Sequence, residues 1–521
     1  MSRLLLAALL FLAPVLRAAD AFPQEASDLK ADPAVRYGTL PNGFRYAIRA
    51  NQEPKNRASL RLLVQAGSLF ENENQRGLAH FLEHMAFNGS THYAPNTLVE
   101  FFQRMGMNFG GDTNAYTSFD RTVYMLELPD TKDATISEGL QVFSDYAGGL
   151  LLLPQEIDKE RGVILSEKRT RDSVDYRTFE AEYNFVLGST LFPHRMPIGL
   201  QDIIEKADRA PFLDFYNTWY RPERMAVVIV GDVDPAKVEQ LLTTALSGVT
   251  ARAPARPVPS FGEVAKSTGL HVNFHPEAEA DSTSLSIMTV TPYAHETDNA
   301  ANRLKYLPRE LASDMLNRRF SVLAKKENAT FTQGQVSVRE SYDFYRSASL
   351  DIVCKPEQWT SALATADQEL RRALEYGFQP AELKEAVANY TNALEQGAKS
   401  AATRHSNDIA GDILDALAER NVFTTPADDL ALFGPALAKI TPEDCVTALR
   451  EAWSAPHRYL LVSGNLTIPG DAIATITSAY NTAHAAPVTP PDKVEDSDWA
   501  YTNFGTPGTV TKREHVADLD I

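Results

Sequence analysis

Cysteine is almost missing: the 521 residues hold two, Cys354 and Cys445. So few exclude a disulfide scaffold and leave folding to an apolar core. The two thiols read either as a pair in an oxidising compartment or as two small buried residues. Histidine is scarce too, 11 in all, with no histidine-rich loop, which speaks against a zinc carrier. Beyond the first turns of the chain no stretch reaches about 18 apolar residues, so no integral membrane segment is expected. Positive charge is in deficit, with 50 Lys and Arg against 68 Asp and Glu, a net charge of −18. Nucleic acid and anionic membrane both repel such a surface and are disfavoured as partners.

What is present is ordinary for a globular protein, 44% hydrophobic and 23% charged residues. The length exceeds one hydrophobic core and asks for at least two domains. Arg3, the apolar residues 4–16 and the small residues Ala18, Ala19 and Ala21 read as a secretory signal over residues 1–21. Export to a periplasm or beyond is the expected localisation.

The chain after that start repeats itself. Pro41-Asn42-Gly43 is a hairpin turn signal between strand-like runs. Residues 58–65, 112–128 and 225–230 read as strands, and residues 134–152 and 156–170 as helices. Residues 253–262 are proline-rich and suit a linker. After it, Gly269 to Val272 echoes Gly43 to Tyr46, residues 284–291 echo 59–65, and Trp453 to Gly464 echoes Trp219 to Gly231. The expected fold class is therefore α+β, as two tandem homologous domains, each a mainly antiparallel sheet packed with helices. Their expected bounds are residues 33–252 and 263–485, with a linker-like tail at 486–521.

One run carries chemistry. His80-Phe81-Leu82-Glu83-His84 places two imidazoles four residues apart, one helical turn above each other on one face. Such a pair can bind one zinc ion, and Glu83 can reach a water on that ion, in H-x-x-E-H order. Leu78, Phe81, Leu82 and Met85 supply the buried face, and Asn88-Gly89 is the expected helix stop. A catalytic zinc needs a third protein ligand. Glu160 and Glu167, seven apart on a predicted helix, share a face that is either a solvated acidic surface or a pair of inward carboxylates.

His80-Phe-Leu-Glu-His84-Met-Ala-Phe-Asn-Gly, followed by Glu160-Arg-Gly-Val-Ile-Leu-Ser-Glu167, strongly resembles the pitrilysin/insulinase family of zinc metallopeptidases, the inverzincins. Asn114-Ala115-Tyr116-Thr117-Ser118 resembles that family's substrate strand beside the metal. The resemblance implies Glu167 as third ligand of one zinc per chain, Glu160 supporting the site from behind, and Asn114 and Ala115 as substrate-binding residues. It implies Glu83 as general base of an endopeptidase that hydrolyses peptides or unfolded protein segments. The subgroup it most resembles is the N-terminal half of a long bacterial exported zinc protease.

One departure stands out. The family holds the substrate carbonyl with an Arg and a Tyr seven residues apart in a later domain, and here Ala324 and Phe331 occupy the nearest matching places. Neither domain as read here then supplies the pair, so a half-enzyme is expected, with a partner subunit or further sequence carrying it. The alternative is a non-catalytic binding or scaffold subunit of a peptidase complex.

Overall fold

A computed structural model describes residues 21–108, 110–493 and 505–517. The proposed signal lies almost wholly outside the described residues, as does part of the tail.

Two halves repeat one order of elements, to which the first adds its opening strand and its second helix. The first half runs β1 (Val35–Thr39), β2 (Arg45–Ala50), β3 (Ala58–Val64), α1 (Leu78–Met85), α2 (Thr97–Arg104), β4 (Thr113–Thr117) and β5 (Thr122–Leu128). It continues through α3 (Asp133–Gly148), α4 (Pro154–Arg171), α5 (Val174–Leu187), α6 (Gln201–Lys206), α7 (Arg209–Trp219), β6 (Met225–Gly231) and α8 (Pro235–Leu246). The second half runs β7 (Gly269–Pro276), β8 (Thr283–Pro292), α9 (Ala300–Ala324), β9 (Gln333–Ser341) and β10 (Tyr345–Cys354). It ends with α10 (Trp359–Tyr376), α11 (Pro380–Ser400), α12 (Ser406–Glu419), α13 (Pro426–Leu437), α14 (Pro442–Ala452), β11 (His457–Gly464) and α15 (Ala472–Ala485).

The sheets follow the same topology. The first has the order β1-β2-β6-β3-β5-β4 and the second β7-β11-β8-β10-β9. In each, one pair is parallel, β2 with β6 and β7 with β11, and every other pairing is antiparallel. The fold is α+β with two mainly antiparallel sheets, as the repeated sequence pattern predicts. β6 reads Met-Ala-Val-Val-Ile-Val-Gly, buried at every position, because it lies between β2 and β3 with both faces covered.

The halves exchange helices. Ile409, Ala410, Ile413, Leu414 and Leu417 of α12 pack onto Leu63, Val123, Ala226, Val228 and Val230 of the first sheet. In return α5 lies against β7 and β11, with Phe185 edge-on to Tyr459 at 5.2 Å. Each sheet thus has one face closed by the other half.

Two expectations change. Helix α1 ends at Met85, three residues before the proposed stop, because the amides of Phe87 and Asn88 turn back onto the carbonyls of His84 and Met85. The first residues of the tail form no helix or strand, but they are held: Arg371 donates to the Ala486 carbonyl, Arg372 to that of Thr489 and Gln379 to that of Asp492. Cys354 and Cys445 are free, buried thiols. No described helix is long and apolar enough to cross a membrane.

Candidate metal centre

The site begins with the placement of α1. Gly77 precedes the helix at φ +105°, and a Cβ on it would meet the Gly199 Cα at 2.8 Å, so a side chain is excluded twice over. The buried carboxylate of Glu71 accepts the Gly77 amide at 3.0 Å and the Ala79 amide at 2.8 Å, satisfying donors that the first turn leaves unpaired. Glu71→Ala would orphan both, at about 1–3 kcal/mol each. We expect a fall of about 2–6 kcal/mol in unfolding free energy, read from denaturant melts, with an unchanged value contradicting this anchoring.

Leu78, Phe81, Leu82 and Met85 are fully buried, and Phe81 meets Phe212 of α7 edge-on at 4.9 Å. That fixes the helix rotation and turns His80, Glu83 and His84 away from the first core. The imidazoles lie with ring centroids 4.8 Å apart. Facing them is α4, begun by Pro154 and closed by the basic last turn of Lys168, Arg169 and Arg171.

Helix α4 brings both glutamates to the pair. His84 Nε2 is 3.3 Å from Glu167 Oε2, and His80 Nε2 is 3.6 Å from Glu167 Oε1. His84 Nδ1 is 2.8 Å from Glu160 Oε1, and Asn88 Nδ2 donates to Glu160 Oε2 at 2.9 Å. Glu160 therefore holds the far side of the imidazole whose Nε2 faces Glu167. Arg171 Nη2 sits 2.5 Å from Glu167 Oε1 and fixes that carboxylate from the solvent side.

The donor set fits zinc. One ligand atom each from His80, His84 and Glu167 lie within 4.8 Å of one another. Bonds of about 2.0–2.1 Å in a tetrahedron put ligand atoms about 3.3 Å apart, close to the two separations above. Two imidazoles and one carboxylate also leave a fourth position open. Burial, then the neighbouring His84, pushes His80 down to about 3, so it stays neutral with a lone pair to offer. The hydrogen bond from His84 is the main force holding Glu167 down at about 2, an ionised carboxylate.

Glu83 stands beside this group, buried at 6% exposure. Thr117 Oγ1, at the end of β4, donates to its Oε2 at 2.7 Å. Burial raises Glu83 to about 7 against the opposing pull of Thr117 and His84. A carboxylate near neutrality is suited to take up and release a proton. Strand β4 is the edge of its sheet, paired only with β5, with Asn114 opposite Met125 and Ala115 opposite Tyr124. Asn114 is exposed and Ala115 half-buried. An edge strand of this kind can accept an extended peptide.

The structure brings His80, Glu83, His84, Glu160 and Glu167 into one place and sets Asn114 and Ala115 on the adjacent strand. Three neighbours join the site in roles that the sequence motifs do not suggest. Asn88 and Arg171 are each four residues from a site residue, a spacing that could have flagged them. Thr117 is 34 residues from Glu83, and nothing local predicts their contact. In the second half the helices corresponding to α1 and α4 are α9 and α11, joined by a two-point ion pair of Arg319 with Glu382 at 2.6 and 2.8 Å. Among the described residues only the first half presents a three-ligand group. Phe331 is buried against Phe320.

Known proteins resemble this chain in sequence and in fold. Residues 46–181 match the insulinase model (peptidase family M16), and residues 206–390 match the model for the peptidase M16 inactive domain. A probable zinc protease, PqqL of Haemophilus influenzae, is 28% identical over 481 residues, 87% of this chain and 49% of that protein. PqqL of Escherichia coli is 38% identical over 226 residues, 43% of this chain and 24% of that one. The chain thus spans about half the length of the first of these relatives. The crystal structure of the first half of the periplasmic protease PqqL from Escherichia coli superposes with a TM-score of 0.80 at 25% identity, covering 89% of this chain and all of that one. A ferredoxin protease, FusC, in complex with Arabidopsis ferredoxin shares the fold at a TM-score of 0.76 and 21% identity, covering 92% of this chain and 53% of that one. With the H-x-x-E-H helix, the facing glutamates and both halves matched, the chain belongs to the pitrilysin/insulinase family, peptidase family M16.

Proposed function

We propose that this chain is a zinc-dependent endopeptidase acting on peptides or unfolded protein segments. The observation that carries the reading is the convergence of His80, His84 and Glu167 beside a buried Glu83, at the side of an edge strand. One zinc would be held by His80, His84 and Glu167, where it would acidify water and polarise the scissile carbonyl. Glu83 takes the proton from the attacking water and delivers it to the leaving amine. Thr117 ties down Oε2 of Glu83 and leaves Oε1 for that proton. Glu160 and Asn88 fix His84, and Arg171 fixes Glu167. The substrate extends along β4 at Asn114 and Ala115, adding a strand to the sheet. The pair that would hold the carbonyl oxygen comes from a partner polypeptide or further sequence, since Ala324 and Phe331 have no group to donate. Periplasmic location follows the signal-like residues 1–21 and the periplasmic relative.

The test is hydrolysis of an internally quenched peptide by the chain, alone and together with the polypeptide that supplies the carbonyl-holding pair, each with and without a chelator. Full activity of the chain alone refutes the half-enzyme reading. Chelator-sensitive cleavage supports the reading, and chelator-resistant cleavage refutes the zinc mechanism. A subsidiary expectation concerns Glu160. Glu160→Gln can still accept from His84 but no longer carries charge, and removing such a support costs zinc affinity about 10–100-fold. Competition with a chromogenic chelator measures it, and unchanged affinity would remove Glu160 from the site.

A further inference from the structure

We propose that the second half, which presents no three-ligand metal group among its described residues, positions the general base of the first. The tip of the β9–β10 hairpin and the end of α12 clamp the β4–β5 turn, and that turn carries Thr117 on Glu83. The inference rests on the reading of Glu83 as the base.

Thr117 is the last residue of β4, and the turn after it spans residues 118–121, closed by the Ser118 amide on the Arg121 carbonyl at 2.8 Å. Its inner side is gripped by the first half. The amides of Ser68 and Leu69 donate to the carbonyls of Ser118 and Phe119 at 3.1 and 2.9 Å. A Cβ on Gly67 would lie 2.2 Å from the Ser118 carbonyl oxygen, so the two segments touch backbone to backbone. The outer side belongs to the second half. Tyr342 of the hairpin tip meets the Phe119 ring edge-on at 5.6 Å and the Phe192 ring at 5.0 Å. Arg121 lies 3.7 Å from both Asp415 and Glu419 of α12. Arg420, just past α12, pairs with Asp343 beside Tyr342, so the two clamping elements are tied to each other.

The hairpin tip is itself held in an unusual shape. Tyr342 and Asp343 both adopt positive φ, +56° and +52°, which tyrosine seldom does outside a site that enforces it. The Phe344 amide donates to the Ser341 carbonyl at 3.0 Å, closing a tight turn with Tyr342 and Asp343 at its centre and aiming the tip as a wedge. The wedge pushes on Phe119, two residues from Thr117. A shift of the turn there moves the Thr117 hydroxyl off Glu83, whose side chain is then free to rotate. Catalytic groups are sensitive to this: a displacement of about 1 Å can cost about 100-fold.

A plain gluing role for the hairpin predicts a different pattern, and a double-mutant cycle separates the two. The variants are Tyr342→Ala, Tyr342→Phe, Thr117→Val and the double Tyr342→Ala/Thr117→Val, each assayed for kcat, KM and zinc affinity on a quenched peptide. Tyr342→Ala should lower kcat by about tenfold with KM and zinc affinity unchanged, part of the loss that misplacement can cause. Tyr342→Phe keeps the ring against Phe119 and Phe192 and loses only the hydroxyl's bonds to Ser118 and Tyr183, so kcat should fall less than in Tyr342→Ala. On the Thr117→Val background, Tyr342→Ala should lower kcat no further. Two fold-changes that multiply, or a loss of zinc affinity in step with kcat, would overturn the proposal. Should Tyr342→Ala fold poorly, Arg121→Gln loosens the same turn from the α12 side and must show the same dependence on Thr117. Activity that survives a chelator would fail the zinc reading itself, an outcome distinct from multiplying effects in a chelator-sensitive enzyme.

Discussion

Glu83→Gln will leave the chain folded and zinc-loaded and will reduce peptide hydrolysis by about 100- to 10,000-fold, the worth of a positioned general base. The substitution changes one atom. A glutamine at 6% exposure fills the same space, and its amide oxygen still accepts from the Thr117 hydroxyl. No ligand is touched, because His80, His84 and Glu167 lie around it. Stability should hold or rise slightly, since burial already lifts the Glu83 carboxyl to about 7 and a neutral amide escapes that cost. Metal analysis, a thermal melt and kcat/KM on one preparation check all three. Retained hydrolysis would remove Glu83 from the mechanism, and lost zinc would mean that it supports the ligands instead.

The second large effect is expected at Glu167. Structural zinc sites with four ligands are worth about 10–16 kcal/mol, so one ligand is worth about 3 kcal/mol. Glu167→Ala should therefore weaken zinc binding by about 100-fold or more, and hydrolysis at stoichiometric zinc should vanish with it. Arg171 loses its carboxylate in the same step, leaving an uncompensated cation beside the imidazoles, which deepens the loss. Excess zinc should restore part of the metal content while kcat stays low, because two ligands no longer fix the orientation. Competition with a calibrated chelator gives the affinity. A variant that binds zinc as tightly as the unaltered chain would show that α4 contributes no ligand.

The metal motif was legible because helix periodicity is local. His80 and His84 at four-residue spacing can only share a face, and the apolar residues among them say which face is buried. The repeat was legible for the same reason: Gly43 and Gly269, or Trp219 and Trp453, mark equivalent turns and strands. Glu167 was not available from spacing, since its approach to His84 depends on how α4 lies across α1, and only resemblance singled it out. Thr117 was silent for a stronger reason. A threonine in an alternating strand looks like any other, and its hydroxyl matters only because α1 runs beside β4. The exchange of α5 and α12 between halves was equally hidden. Ile409, Ile413 and Leu417 announce a buried face, but no local pattern names the sheet of the other half as its cover. The helix end was misplaced because Asn88-Gly89 looks like a stop, whereas the helix already ends at Met85 and the Asn88 side chain beyond it donates to the His84 carbonyl and to Glu160.

Peptide cleavage is proposed to require one zinc held by His80, His84 and Glu167. The direct measurement is to strip the chain with a chelator, remove the chelator, and titrate Zn²⁺ back while following a quenched peptide. No cleavage is expected at the start, then a rise and a sharp break at one zinc per chain. Cleavage by the stripped chain, or a rise with no break at one equivalent, would contradict it.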